Sequence, residues 1–215
     1  MSYPVSFQVD YVEQRSRLTA FFRWILVIPQ VIFLYVYGIL ATVVVVIAWF
    51  AIVITGRYPV SLYDFVAGFN RAVARGTAYG SLLSEPYPPF RGGDEPSYPV
   101  RMTFAGPLES YSRWKTLLRI ILAIPIVVLR YVIGLLLELG AVAAWAVTVV
   151  TGRMPRGLFD VMVLANSYTA RSDAYLFLLT ETYPPFQDET TRGAGLSAQP
   201  QAPPEQPPGS PPPSV

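Results

Sequence analysis

Polar residues that occupy the same place in two halves of the chain are the strongest candidates for chemistry. Asp64 recurs as Asp160 and Asn70 recurs as Asn166, each pair 96 residues apart. If a two-fold axis brought the halves together, one carboxylate from each could form a centre for a metal ion or for acid–base chemistry. No further ligands accompany them, so the simpler interpretation is that each Asp favours the positive N-terminus of its own helix or pairs with an arginine. We treat the four residues as a candidate polar centre and predict no catalytic residue, metal site or cofactor.

Arginines form a second set of candidates in or beside amphipathic stretches. They are Arg57, Arg71, Arg75, Arg153 and Arg171. The planar guanidinium binds phosphate well, and each arginine near an anionic membrane surface contributes about 1 kcal/mol to association. We therefore predict that these arginines contact lipid headgroups, preferably anionic ones, or a membrane-protein partner.

Arg130 and Glu138 are the two charges deep inside an apolar block, and repeat alignment puts Leu34 and Thr42 in their places in the other half. A charge in the hydrocarbon core is costly, so we expect the two side chains to pair near an outer turn at Gly134. The alternative is a functional pair within the membrane. Their absence from the other half favours the turn-stabilising interpretation.

The composition excludes several classes of function. The 215 residues include no Cys and no His, which excludes disulfides, Cys/His zinc sites and imidazole catalysis within this chain. The formal net charge is only +2 and the basic residues are dispersed, so we predict no nucleic-acid partner. Hydrophobic residues make up 53% of the chain and charged residues 14%, against roughly 25% charged in soluble domains. This balance is typical of a membrane protein.

The chain contains a tandem repeat. Residues 15–90 align without a gap on residues 111–186, and 34 of the 76 aligned positions are identical. The resulting division is repeat 1 (1–90), a linker (91–97), repeat 2 (98–186) and a tail (187–215). The tail has 8 prolines in 29 residues and little to bury, so we predict that it is disordered and cytoplasmic. A PxxP ligand for a partner is the alternative.

Each repeat carries one long apolar block. The blocks span residues 18–55 and 117–151, and a single helix of 38 or 35 residues would exceed the hydrocarbon core of about 30 Å. Two short helices joined by a turn near residues 35–39 or 131–135 would fit. This arrangement also puts 15 of the 16 basic residues on the cytoplasmic side, as the positive-inside rule favours.

These arguments predict a mainly α membrane protein built as a tandem repeat of two helical hairpins, with four transmembrane helices. We place it in the cell (plasma) membrane as a multi-pass protein with both termini cytoplasmic. No cleavable signal peptide precedes the first block, so we expect the first helix to remain as an anchor.

Shorter elements are predicted on either side of each apolar block. The T-G-R-x-P sequence after each block suits a glycine at a helix C-terminus and a proline at the start of the next helix. From Ser61 apolar residues recur at helical spacing, which predicts an amphipathic helix lying flat on the inner membrane surface. The copy from Leu158 is less regular, which indicates a more deeply buried helix. Alternation in residues 5–11 and 100–104 predicts a short strand in each repeat, and the two strands could pair if helices covered them.

Three motifs occur in the same order in both repeats: R-x-I-L-x-I-P, T-G-R-x-P-x-x-L-x-D and Y-P-P-F. Together they resemble a prokaryotic family of small integral membrane proteins that is known only as a domain of unknown function. The resemblance covers about residues 3–186 and implies a membrane location and no established activity. In that family the residue after the intramembrane proline is often His, whereas Gln30 and Ile126 stand here. The resemblance therefore implies no imidazole-dependent role for this chain.

The sequence leaves three functional classes open. The first is a non-enzymatic scaffold or accessory subunit that binds lipid headgroups or a protein partner. The second is a small transporter or transporter accessory, because repeats and broken helices recur in transporters. A transporter needs polar groups that face one another at mid-membrane, and repeat 1 offers almost none. The third is a lipid-modifying enzyme that uses Asp64 and Asp160.

Overall fold

The computed structural model describes residues 3–185, and each repeat supplies one strand, short helices, one long helix and one helix of 21 residues. The elements are β1 (Val5–Val9), α1 (Arg17–Phe21), α2 (Arg23–Leu26), α3 (Ile28–Thr55), α4 (Val60–Gly80), β2 (Val100–Phe104), α5 (Arg113–Leu117), α6 (Arg119–Thr151) and α7 (Arg156–Leu176). The predicted disordered tail and its PxxP alternative lie outside the described residues.

The central part of each long apolar block folds as one long helix without a turn, α3 in repeat 1 and α6 in repeat 2, so the predicted hairpins are wrong. No turn interrupts α3 near residues 35–39 or α6 near residues 131–135. Each stretch contains a single glycine, which a helix interior tolerates, and a continuous helix satisfies its backbone N–H and C=O groups internally. Two helices, Arg23–Thr55 and Arg119–Thr151, are long and apolar enough to cross a membrane, and an 18-residue stretch of each has a mean hydropathy of 2.7. The structure therefore offers two candidate membrane helices and does not support four.

The ends of the long helices follow the predicted signals. Gly56 and Gly152 cap α3 and α6 in the left-handed conformation, with φ of 73° and 71°. A side chain with a Cβ is disfavoured there, and glycine is not. Pro59 and Pro155 then stand at the N-caps of α4 and α7. The T-G-R-x-P motif is thus the reversal between a long helix and the helix that packs back on it.

The helices α4 and α7, here called the inner helix pair, are amphipathic as predicted but do not lie on the surface. Most residues in the second half of each are buried. Each packs on the long helix of its own repeat, and the two pack on each other in opposite directions. The Phe69 and Phe177 rings lie 5.7 Å apart, and Asn166 Nδ2 lies 3.4 Å from Ser81 Oγ. The predicted surface location of α4 is wrong for its second half, which is covered by protein, and α7 is buried along its second half, as its less regular pattern indicated.

The predicted strands pair as an antiparallel ribbon in which Phe7 lies opposite Met102. Its apolar face, which includes Phe7 and Met102, is buried against the inner helix pair. Its other face is polar and carries Gln8 together with the ion pair of Asp10 and Arg101. The molecule therefore has three layers: the long helices, the inner helix pair, and the ribbon.

The two repeats are intertwined at both ends of the long helices. At the Gly152 end, the backbone N–H of Arg15 donates to Gly152 O at 2.9 Å. At the Gly56 end, the backbone N–H of Tyr111 donates to Gly56 O, also at 2.9 Å. The chain entering each long helix thus lies beside the C-terminus of the other. The two long helices consequently run in opposite directions, as the antiparallel strands and the antiparallel inner helices do.

Candidate lipid-contact surface

Each long helix has one uncovered side, and the two sides together are here called the outer apolar face. Only 11% of the most apolar 18-residue window of each helix is buried, so neither is the core helix of a soluble domain. Every third or fourth residue points inward and the rest stay exposed, as expected when one side of a helix packs. The exposed side chains include Ile32 (60%), Tyr35 (72%), Val128 (60%) and Leu139 (69%).

Basic side chains surround the ends of this face. At the Gly56 end the exposed ones are Arg57, Arg113 and Lys115, and at the Gly152 end they are Arg17 and Arg153. Arg57 and Arg153 occupy equivalent positions directly after the two glycine caps. Trp114 beside Arg113 is 76% exposed. Arginine, lysine and exposed tryptophan together are typical of the boundary between acyl chains and headgroups.

A cleft of about 460 Å³ opens at the Gly152 end between Arg153, Arg156, Glu13 and Tyr11. The Arg156 guanidinium lies over the Tyr11 ring at 4.5 Å and its Nε is 3.5 Å from an Asp160 carboxylate oxygen. Arg153 Nη1 is 3.9 Å from Glu13. Both arginines therefore remain partly solvated and can exchange these weak pairs for a phosphate. Repeat 1 has Val60 in place of Arg156. The Gly56 end therefore lacks the second arginine that makes the cleft at the Gly152 end basic.

A set of buried cations was missed by the sequence interpretation. Arg23 and Arg119, equivalent positions in the two repeats, lie over the Tyr79 and Tyr175 rings at 4.0 and 3.8 Å. They donate to the carbonyls of Ser84 and Thr180, just past the ends of the inner helices. Cations suit a helix C-terminus and an aromatic face. The recurrence of an arginine and a tyrosine at the same spacing in both repeats was the available signal.

Glu85 is the counter-charge of the cations at the Gly152 end. One of its carboxylate oxygens lies 3.7 Å from both Arg15 Nη1 and Arg23 Nη2, and the other accepts the Ser16 N–H. Burial lowers the pKa of the Arg15 guanidinium, and Glu85 opposes that shift. This carboxylate therefore stabilises two buried charges and one helix start.

Two of the five predicted contact arginines lie inside the protein, and a third is half-buried. Arg71 is half-buried and its Nε donates to Met102 O at 3.2 Å in the ribbon. Arg75 is 2% exposed and donates to backbone carbonyls at residues 91 and 93. Arg171 is fully buried, with its Nε donating to Ser167 O. The surface positions predicted for Arg75 and Arg171 are wrong, while lipid contact by Arg57 and Arg153 stays a prediction.

The predicted polar centre is not assembled. Asp64 and Asp160 are both exposed near the starts of α4 and α7. Because these helices run in opposite directions, the two carboxylates lie at opposite ends of the inner helix pair, so they cannot share a ligand. Asn70 and Asn166 are buried and donate to the carbonyl one turn back on their own helices. Within residues 3–185 no group of three or more acidic side chains lies together that could hold a metal ion.

The predicted pairing of Arg130 with Glu138 is also wrong. Arg130 Nε lies 2.8 Å from Asp173 Oδ1, so the ion pair joins α6 to α7. In a continuous helix eight residues span about 12 Å, which puts Glu138 beyond reach of Arg130. Burial raises the pKa of Asp173, and the Arg130 guanidinium opposes that shift. Glu138 is exposed near the midpoint of α6.

An apolar groove of about 140 Å³ lies between α6 and α7 in repeat 2. Its lining includes Ile133, Leu136, Gly140, Met162 and Ala165. The groove runs along the side of the outer apolar face, where an acyl chain would meet it.

Comparison with known proteins places the repeats in a family and goes no further. No curated protein and no solved structure matches this sequence. The family model for a domain of unknown function, DUF4389, matches residues 17–91 and again residues 113–187. These two segments correspond to the helical parts of the two repeats and together cover more than half of the chain. The chain therefore belongs to the DUF4389 family, with two copies of its domain in tandem.

Proposed function

We propose that this protein is a non-enzymatic membrane scaffold at the cytoplasmic face of the cell membrane, whose outer apolar face contacts acyl chains. That face is the observation that carries the proposal. It extends along both long helices, whereas a soluble monomer rarely leaves contiguous apolar patches larger than a few hundred Å² in water. Burial in lipid stabilises such a surface by roughly 25 cal/mol per Å².

The basic residues around the outer apolar face extend the proposal to headgroups. Arg57 and Arg153 lie directly after the helix caps, where an apolar helix meets water. Arg153 and Arg156 line the cleft of about 460 Å³, which is large enough for a phosphate-containing headgroup. Each arginine near an anionic surface contributes about 1 kcal/mol and loses that contribution as salt screens it. We therefore propose a preference for anionic lipid.

The test compares two double variants with the same change in charge. R57Q/R153Q removes the arginines at the helix ends, and R91Q/R101Q removes two exposed or half-exposed arginines elsewhere. Each protein is extracted directly into lipid nanodiscs from cells, and bound lipids are measured by mass spectrometry over a salt series. We expect both variants to stay in the membrane, with anionic lipid depleted only around R57Q/R153Q.

Other outcomes assign the outer apolar face differently. If the wild-type protein stays in the soluble fraction of lysed cells and carries no lipid, the face does not contact lipid. If a second protein co-purifies in stoichiometric amount and lipid is absent, the face is a protein interface. If both double variants keep the wild-type lipid complement, the headgroup part of the proposal is wrong and the acyl-chain part stands.

A further inference from the structure

The order of the three layers indicates how the protein is oriented relative to the membrane. We infer that the long helices lie in the plane of one leaflet, with the ribbon facing the cytoplasm, and do not cross the bilayer. The inference rests on the proposed function, because it requires the outer apolar face to contact lipid. The partner of that face is then a single leaflet rather than the full thickness of the membrane.

The first argument is the level of the ribbon along the long helices. Arg71 joins α4 to the middle of β2 through Met102 O. On α4 it lies between Gly68 and Gly76, which face Tyr37 and Leu34 of α3. Arg71 therefore lies beside Leu34 and Tyr37. At 1.5 Å per residue along the helix, these two residues are about 30 Å from Arg17 at one end and about 30 Å from Arg57 at the other. The ribbon is therefore midway between the two ends of the molecule.

If the long helices crossed the bilayer, the ribbon would lie at its midplane. The outer side of the ribbon carries Gln8 and the exposed ion pair of Asp10 and Arg101, whose Nη2–Oδ1 distance is 2.6 Å. A two-stranded ribbon also has two open edges, and backbone groups at an open edge have no partners in hydrocarbon. When the long helices lie flat, the inner helix pair separates the ribbon from lipid and the same groups face water.

The second argument is Glu138. It is exposed and lies three residues from the midpoint of α6, so a crossing helix would hold a carboxylate in lipid within about 5 Å of the bilayer centre. It also stands about 100° around the helix from the buried stripe, on the flank rather than the centre of the outer apolar face. From the flank of a helix lying flat, the side chain can reach the headgroup layer.

The third argument is the distribution of the basic residues. The two ends of the molecule are built alike, because each combines a glycine cap from one repeat with the entering chain of the other. A crossing orientation would put Arg57 and Arg153 on opposite sides of the membrane, with no preference for either direction. The flat orientation puts both ends on one side, and the positive-inside rule then favours the cytoplasmic leaflet. A helix that lies flat also does not have to match the thickness of the bilayer. A crossing helix would have to, and about 50 Å of apolar helix exceeds the core thickness of about 30 Å.

The experiment uses single cysteines, which are unique because the chain has none. Arg57→Cys and Arg153→Cys mark the two ends, and Gln8→Cys marks the ribbon. Ile32→Cys and Val128→Cys, equivalent positions on the outer apolar face, are the lipid-facing controls. A membrane-impermeant maleimide is added to sealed right-side-out and inside-out vesicles carrying the full-length protein. Glu109→Cys and Glu13→Cys are a second exposed pair at the two ends, in case an arginine variant fails to fold.

We expect both ends and the ribbon to react completely in inside-out vesicles and not in right-side-out vesicles, with both controls protected. The inference is overturned if the two ends react from opposite sides. It is also overturned if each end reacts to half its extent in both kinds of vesicle while the ribbon is protected, which indicates crossing helices in mixed orientation. If the two controls react as readily as the ends, the outer apolar face does not contact lipid, and the proposed function fails as well.

Discussion

The contact between the long helix and the inner helix differs between the two repeats. In repeat 1 it is closed by aromatic side chains: the Tyr37 ring lies 5.2 Å from Phe65 and 5.3 Å from Phe69, and its hydroxyl donates to Phe65 O. The equivalent residues of repeat 2 are Ile133, Val161 and Ala165, and there the groove of about 140 Å³ opens.

Charge differs at the same contact. Repeat 2 has the ion pair of Arg130 and Asp173, whereas repeat 1 has Leu34 and Thr77 at these positions. The helix ends, in contrast, keep the same glycine caps and the same arginine–tyrosine stacking in both repeats. The two repeats therefore agree at the helix ends, where they are intertwined, and differ in the middle of each helix pair.

The largest expected effect comes from breaking the ion pair of repeat 2. Arg130→Leu leaves the Asp173 carboxylate buried without its counter-charge, and we expect the free energy of unfolding to fall by about 3 kcal/mol. The double variant R130L/D173T copies repeat 1 and should recover most of that loss. Thermal unfolding in lipid nanodiscs, with the melting temperature of each variant, measures both. If the double variant is as unstable as Arg130→Leu alone, the loss of stability does not arise from the unpaired Asp173 carboxylate, and the prediction is wrong.

The second-largest loss of stability is expected from removing an aromatic side chain from the contact between α3 and α4 in repeat 1. Phe69→Ala introduces the residue of repeat 2 and removes a ring that is 8% exposed and packs on Tyr37 and Phe177. We expect a loss of about 3 kcal/mol, as for other large-to-small core substitutions. The reverse change, Ala165→Phe, enters the open groove and should alter stability by about 1 kcal/mol or less. Equal losses from the two changes would mean that the groove is not open to a ring.

Local signals in the sequence were sufficient for the strands and for the C-terminal ends of the long helices. The alternation in residues 5–11 predicted β1, and the T-G-R-x-P motif predicted the caps at Gly56 and Gly152, because each depends on a few neighbouring residues. The recurrence of 34 identical residues predicted the tandem repeat, which the two family matches confirm. These features need no knowledge of which element packs on which.

The hairpins and the polar contacts could not be predicted in this way. The hairpin argument assumed that an apolar block must cross a bilayer, and a helix of 33 residues then looked too long. Arg130 was assigned to Glu138 because the partner that it has, Asp173, lies 43 residues away on α7. Arg75 was assigned to the surface because a polar stripe was interpreted as solvated, whereas it packs on backbone carbonyls of the connection that follows α4. Each error concerns tertiary packing.

The acidic residues that follow the inner helices provide a smaller contrast. Glu85 lies 3.7 Å from two buried arginines, whereas Glu181 lies 3.8 Å from Lys115, whose side chain is 59% exposed. We expect Glu85→Gln to lower the free energy of unfolding by about 2 kcal/mol and Glu181→Gln by about 0.5 kcal/mol. Chemical unfolding of both variants under one condition makes the comparison. A larger loss for Glu181→Gln would contradict the view that the Gly152 end depends more on its carboxylate.

The smallest expected effect concerns Gly38 and Gly134, equivalent positions in the middle of α3 and α6. A Cβ at Gly134 would meet nothing within 4 Å among the described residues, so Gly134→Ala should stabilise α6 by up to about 1 kcal/mol through helix propensity alone. A Cβ at Gly38 would lie 3.4 Å from the Phe69 ring, so Gly38→Ala should bring little or no gain. The difference arises from Phe69, because repeat 2 has Ala165 there. Gly38→Ala in the Phe69→Ala background should therefore become stabilising by the same amount as Gly134→Ala. Melting temperatures of the three single variants and this double variant complete the cycle. If Gly38→Ala has the same effect with and without the ring, the contact between Gly38 and Phe69 does not distinguish the repeats.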